Sequence, residues 1–264
     1  MFPDTSQIRK AARAVYKNNA LGSLTVSFGM LVTAFLGSLL SYLISFFAKD
    51  FWIYIFLLFY IYFLVIPVFL GAIRYFSMLV EGKSAQPVEM FYYFSSLKAY
   101  KRAIAFVSGI FFVVFISLVI AMIIPYALLL FTSEGVYNFL GVSMPIWTPI
   151  LKIVSVFLEI LGIGLVVLVN IKYYLSVYLF VCNDKISVSD ALKLSVRISR
   201  KTKSDFWMLI FSMTGYILIS LTVMPLFFLM PYFSLAYIAH GKCAAVKYNE
   251  SFDFSNKQYT VVAK

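Results

Sequence analysis

Charge is scarce in this chain of 264 residues: Asp, Glu, Lys and Arg make up 12% of it, against about 25% in a soluble globular domain. Histidine is rarer still, with His240 alone, so a zinc site built on two histidines and the H-E-x-x-H protease motif are excluded within one chain. The two cysteines, Cys182 and Cys243, are too few for a disulfide framework and read as free thiols. No G-x-S-x-G elbow, Walker A loop or Rossmann glycine pattern occurs. Paired carboxylates for acid/base work are also missing, because Glu159 stands alone within its apolar run. No catalytic, cofactor-binding or metal-binding residue is therefore expected, and the chain reads as a non-enzyme. An intramembrane enzyme would need a nucleophile-base pair, and the nearest approach is His240 three residues before Cys243.

Apolar residues, in contrast, fill 62% of the sequence and aromatics 19%. Four charge-free runs, Asn18 to Ala48, Phe51 to Ile73, Ala103 to Ser133 and Phe206 to Gly241, each exceed the roughly 18–20 residues that cross a bilayer as helix. The expected fold is an all-α polytopic membrane protein with six transmembrane helices and short cytosolic amphipathic helices. The spans are placed at about 21–47, 51–73, 104–131, 153–180, 205–224 and 225–246. Cytosolic loops occupy 74–103 and 181–204, a cytosolic amphipathic helix occupies 1–19, and a cytosolic tail runs over 247–264. The apolar segment after Arg9, Lys10, Arg13 and Lys17 is too long for a signal-peptide core and is expected to stay as the first span.

The last apolar run decides the count. Its 36 residues make about 54 Å of helix, against a hydrocarbon core of about 30 Å. Two spans fit if Pro225 breaks the run and the second continues past Lys242 to Val246, with Pro231 kinking it. Full crossing and a shallow re-entrant hairpin both keep the C-terminus on the same side. With six spans and cytosolic termini, only Lys49 and Lys152 of the 22 basic residues lie outside. Five spans would strand six outside, so the positive-inside rule favours six. It also gives the +11 net charge a topological role, and nucleic acid is not an expected partner.

Three cytosolic segments are amphipathic. Gln7 to Asn18 carries Ile8, Ala12 and Val15 on one stripe and Arg9, Arg13 and Lys17 on another, and is expected to lie on the inner leaflet. Pro87 opens a second, with Met90, Phe91, Phe94 and Leu97 on one face and Lys98, Lys101 and Arg102 at its end. Ser187 or Ser189 caps a third, with Lys193, Arg197, Arg200 and Lys201 on one side, Ala191, Leu194 and Ile198 opposite, and Lys203 beyond. The second and third segments also resemble a weak internal repeat, in which Glu89 parallels Asp190 and Arg102 parallels Lys203. The candidate contacts for lipid or a protein partner are Arg9, Arg13, Lys17, Lys98, Lys101, Arg102, Lys193, Arg197, Arg200, Lys201 and Lys203.

Glu159 is the candidate functional residue inside the membrane, because an ionisable group within a span is a functional hypothesis by default. It lies seven residues from Lys152, about 10 Å along the helix, within reach of the outer surface. The eight aromatics among the thirteen residues from Phe51 to Phe63 read as a lipid-facing or packing surface. Gly162-Ile163-Gly164 reads as a close helix contact.

Phe69-Leu70-Gly71-Ala72-Ile73-Arg74-Tyr75-Phe76, Val188-Ser189-Asp190-Ala191-Leu192-Lys193-Leu194-Ser195, Lys203-Ser204-Asp205-Phe206-Trp207 and Pro231-Tyr232 resemble the bacterial membrane family catalogued as domain of unknown function 975. The resemblance covers about residues 7 to 248 and departs at Arg200-Lys201-Thr202, where the family favours a glycine. It implies a six-span protein of the bacterial cytoplasmic membrane with cytosolic termini, and brings no catalytic residues. The expected role is a binding or accessory protein that engages anionic lipid, another membrane protein or a cytosolic partner through its basic helices. The alternative is a transporter, or the membrane subunit of one served by a cytosolic ATPase on a second chain.

Overall fold

The computed structural model describes residues 5–46, 50–133, 135, 138, 145–219 and 223–250. Lys49 between the first two expected spans, Glu134 between the third and fourth, the junction at 220–222 and the tail residues Lys257 and Lys264 lie outside these. Ten α-helices run through the described residues: α1 (Thr5–Asn18), α2 (Ala20–Ser45), α3 (Asp50–Tyr60), α4 (Ile66–Val80), α5 (Leu97–Phe131), α6 (Thr148–Asn170), α7 (Ser176–Cys182), α8 (Val188–Ser212), α9 (Thr214–Ile219) and α10 (Val223–Glu250). A π-turn, Ile61–Val65, joins α3 to α4, and a 3-10 helix, Pro87–Phe94, precedes α5.

Four helical stretches are long and apolar enough to cross a membrane: Ala20–Ser45, Phe51–Val80, Leu97–Phe131 and Thr148–Cys182. They coincide with the first four expected spans. The expected fifth and sixth fall on α8, α9 and α10, where the helix boundaries differ from expectation. α8 runs unbroken from Val188 to Ser212, fusing the expected cytosolic helix with the start of the expected fifth span. No Gly or Pro interrupts that stretch, so the change from charged to apolar residues near Asp205 alters the surroundings of the helix without ending it. α10 starts at Val223, which puts Pro225 in its first turn, where a proline is tolerated, while Pro231 is accommodated inside the helix.

The chain divides into two compact units, one of Ser108–Tyr174 and one of everything before and after. In the larger unit the most deeply buried side chains, among them Tyr75, Phe76, Tyr93, Phe106, Phe180, Leu235 and His240, come from the second half of α4, the 3-10 helix, the start of α5, α7 and α10. α10 is the central element and packs against α1, α2, α4 and α8. The apolar stripe of α1 is therefore covered by protein: Ile8 and Ala12 are buried along α10 rather than presented to a leaflet.

α2 packs through small residues, with Ser23, Ser27, Thr33, Gly37 and Ser41 buried along one side, the pattern that lets helices approach closely where no water drives association. The hydroxyls of Thr33 and Ser41 donate back to the carbonyls of Gly29 and Gly37 at 2.8 and 2.7 Å, so their burial leaves those groups satisfied. The Tyr60 hydroxyl donates to the Thr33 carbonyl at 2.5 Å.

Pro67 explains a second long-range bond. Lacking an N–H, it cannot serve the Phe63 carbonyl four residues back, and an orphan carbonyl inside a membrane helix costs several kcal/mol. The Tyr100 hydroxyl fills the role, donating to that carbonyl at 2.9 Å.

The smaller unit is an antiparallel pairing of α5 beyond Val107 with α6. Pro125 frees the Ala121 carbonyl in the same way, and Gly162 packs against it: a Cβ there would stand 2.8 Å from the Ala121 oxygen. The Ser155 hydroxyl donates to the Pro125 carbonyl at 2.9 Å, and Asn170 Nδ2 donates to Ser117 Oγ at 3.0 Å. The expected glycine contact is present at Gly162, whereas a Cβ at Gly164 would meet nothing within 4 Å.

Candidate functional site

α8 begins with a reciprocal cap. Its Ser187 Oγ accepts from the Asp190 backbone N–H at 3.1 Å and donates to the Asp190 carboxylate at 2.7 Å, satisfying an orphan donor of the first turn. From there the 3.6-residue period divides the helix. Ala191, Ser195, Ile198, Ser199 and Thr202 are buried, while Lys193, Arg197, Arg200, Lys201 and Lys203 are exposed. At about 100° per residue these five basic positions fall within about 80° of one line along the helix, opposite the buried stripe. The acids of α8 are engaged elsewhere: Asp190 in the cap and Asp205 with Lys247 Nζ at 3.3 Å.

The other basic candidates separate into surface and internal groups. Arg13, Lys17, Lys98 and Lys101 are exposed. Arg9 Nη1 donates to the Ser212 carbonyl at 3.0 Å, and Arg13 Nη2 to the Tyr216 hydroxyl at 3.3 Å. Arg9 thereby neutralises the partial negative charge at the C-terminal end of α8. These two arginines fasten α1 to α8 and α9.

Arg102 points inward. Its Nη2 donates to the carbonyls of Phe180, Asn183 and Ile186, at 3.1 Å for the first and 3.4 Å for the last, while Nη1 reaches Asp184 Oδ1 at 3.0 Å. Its guanidinium also lies 4.3 Å above the Phe180 ring, which stacks on Phe106 at 4.1 Å. Arg74 shares the same carboxylate, with Nη1 at 3.0 Å from Asp184 Oδ1. It also stands 3.8 Å from Glu89 and lies over the Tyr92 ring at 3.7 Å. Two arginines and two acids thus form a closed, charge-balanced clamp that joins α4, the 3-10 helix, α5 and the turn after α7. Below it the Tyr93 phenol is fully buried; burial pushes its pKa well above the ordinary value, with Arg102 and Arg74 opposing.

Sequence reasoning placed Arg102 with the surface cations and did not single out Arg74 or Asp184. Chain spacings of 82 and 110 residues between the partners leave no local signature of the clamp.

The 3-10 helix corrects the expected face of the second amphipathic segment. Three residues per turn sort its positions into three stripes. Met90 and Tyr93 are buried; Val88, Phe91 and Phe94 are exposed, as is Leu97 at the start of α5; Glu89 and Tyr92 face Arg74. Met90 is thereby parted from Phe91, Phe94 and Leu97, with which a 3.6-residue period had grouped it. The basic trio follows on α5 itself, a helix that starts at Leu97.

Glu159 is partly buried on α6 and forms no ion pair among the described residues. Glu159→Gln is expected to change stability by less than about 0.5 kcal/mol, measured as thermal unfolding in detergent, so any functional loss in that variant would report on its chemistry and not on folding. An apolar cavity of about 130 Å³ lies between Met30, Leu31 and Ala34 of α2, Val65, Val68 and Phe69 beside the π-turn, and Met230 of α10. No polar side chain lines it, so it offers no chemistry. Among the described residues no group of His, Cys, Asp and Glu forms a metal site. The chain matches no protein-family model, no curated protein and no solved structure.

Proposed function

We propose that this chain is a non-enzymatic binding protein of the bacterial cytoplasmic membrane, whose α8 face of Lys193, Arg197, Arg200, Lys201 and Lys203 binds anionic phospholipid headgroups. The observation that carries the reading is the division of α8 itself. Five cations are exposed on one half of the helix, the opposite side is buried, and both acids of the helix are occupied. Each basic side chain near an anionic leaflet contributes about 1 kcal/mol, so the five act as one site.

The topology that supports this reading has six spans and cytosolic termini, with α8 beyond Lys203, α9 and α10 supplying the last two as crossings or as a re-entrant hairpin. The skew of the basic residues is its support. The resemblance to domain of unknown function 975 implies the bacterial cytoplasmic membrane as the setting.

Native mass spectrometry of the gently solubilised protein tests the reading. Anionic phospholipid is expected to remain bound to the wild type. Changing the five α8 cations to glutamine is expected to abolish that retention without changing the zwitterionic lipid carried. Equal retention by the two proteins would overturn the proposal. A co-purifying ATPase subunit in place of lipid would establish the alternative, a membrane subunit of a transporter.

A further inference from the structure

We infer that the exposed stripe Val88, Phe91, Phe94 and Leu97 inserts into the membrane at the headgroup–acyl boundary, making the 3-10 helix an interfacial anchor with Lys98 and Lys101 on the headgroups. The inference does not depend on what α8 binds.

Depth is the first argument. Counting the roughly 20 residues that cross the hydrocarbon from Phe51, where the second candidate span begins, places the far boundary at about Gly71. The 3-10 helix is held at that level by direct backbone contact: a Cβ on Gly71 would collide with the Met90 carbonyl oxygen and stand 2.6 Å from its carbon. The same segment is tied forward to α5, because only Ser95 and Ser96 separate it from Leu97. α5 has 35 residues, about 52 Å of helix, and its surplus over about 30 Å of hydrocarbon lets its first turns occupy the headgroup region. Both attachments set the 3-10 helix at the same membrane level.

Chemistry is the second argument. Val88 is 65% exposed, Phe91 48%, Phe94 42% and Leu97 69%. Such a line of aromatic and aliphatic side chains facing water would be an aggregation hazard. Its neighbours on α5, Lys98 and Lys101, are exposed, and a cationic border on an apolar stripe complements an anionic interface. The remaining two stripes are already taken, one by the protein core through Met90 and Tyr93 and one by Arg74 through Glu89 and Tyr92. The third stripe is therefore fixed in orientation before any lipid meets it.

The experiment uses the full chain, with Cys182 and Cys243 replaced by serine, reconstituted in vesicles of neutral or mixed neutral and anionic phospholipid. Single cysteines at positions 88, 91, 94 and, as an aqueous reference, 84 carry nitroxide labels, and accessibility to oxygen is compared with accessibility to a water-soluble nickel complex. Labels at 88, 91 and 94 are expected to favour oxygen as lipid-exposed sites do, in both vesicle types, while the label at Ser84, exposed in the loop after α4, favours nickel. Nickel access at 88, 91 and 94 equal to that at 84 overturns the inference and would leave the stripe as a surface for a protein partner. Should the serine background misfold, Phe91→Trp in the native background reads the same depth: brominated phospholipid is expected to quench the added fluorescence, and its absence of effect overturns the inference. Glutamine replacement of the α8 cations is expected to leave all of these depths unchanged, so failure of the α8 proposal and failure of this one are separable.

Discussion

Arg102→Leu is expected to destabilise the protein by about 3 kcal/mol, lowering the thermal midpoint in detergent by about 10 °C. The size follows from what the guanidinium does. The carbonyls of Phe180, Asn183 and Ile186 receive its Nη2 protons, and charged donors contribute about 1.5–3 kcal/mol per bond in sheltered sites. The ion pair contributes less, because Asp184 is about half exposed and keeps Arg74 when Arg102 is removed. Asp184→Asn is accordingly expected to cost about 1 kcal/mol, clearly less than Arg102→Leu. Arg102→Lys should recover little, since a single ammonium cannot fork between a carboxylate and several carbonyls. If the aspartate variant proved the more damaging, the ion pair and not the carbonyl bonds would be the main element of the clamp.

Gly71→Val is expected to cost about 3 kcal/mol or more, with the loss concentrated where the 3-10 helix meets α4. The atoms that a side chain would strike belong to the Met90 backbone. Relief therefore requires the whole segment to move, taking Tyr93 out of its buried position and Glu89 away from Arg74. Hydrogen exchange should show faster exchange across residues 87–94 in the variant while α2 is unaffected. Exchange unchanged in that segment would mean that the contact yields without displacing it.

Several of these elements were legible in the chain alone because one periodicity governed them. α8 is the clearest case: its cap at Ser187, its exposed cations and the burial of Ala191 and Ile198 follow the expected 3.6-residue repeat, whereas Leu194, expected on the same face, stays partly exposed and Ser195, Ser199 and Thr202 complete the buried side. The first four spans were legible because nothing but a membrane explains such apolar runs. Near residue 90 the same reading fails, since a segment opened by Pro87 adopts three residues per turn, and within about one turn the two periods part company enough to separate Met90 from Phe94. The clamp was illegible for a different reason. An arginine among other basic residues gives no local sign that its partners are carbonyls about 80 residues away. The bond from Tyr100 to the carbonyl released by Pro67 belongs to the same class, recognisable only when both ends are seen.

The three-residue turn before α5 also has a consequence for how this segment can change over generations. Loops between helices ordinarily accept insertions and deletions with little penalty. Here one added residue between Glu89 and Met90 would rotate everything after it by about a third of a turn, sending Tyr92 into the pocket of Tyr93 and Met90 to the surface. Length changes in this stretch are thus tolerable only in multiples of three, a reading frame written in the folded chain.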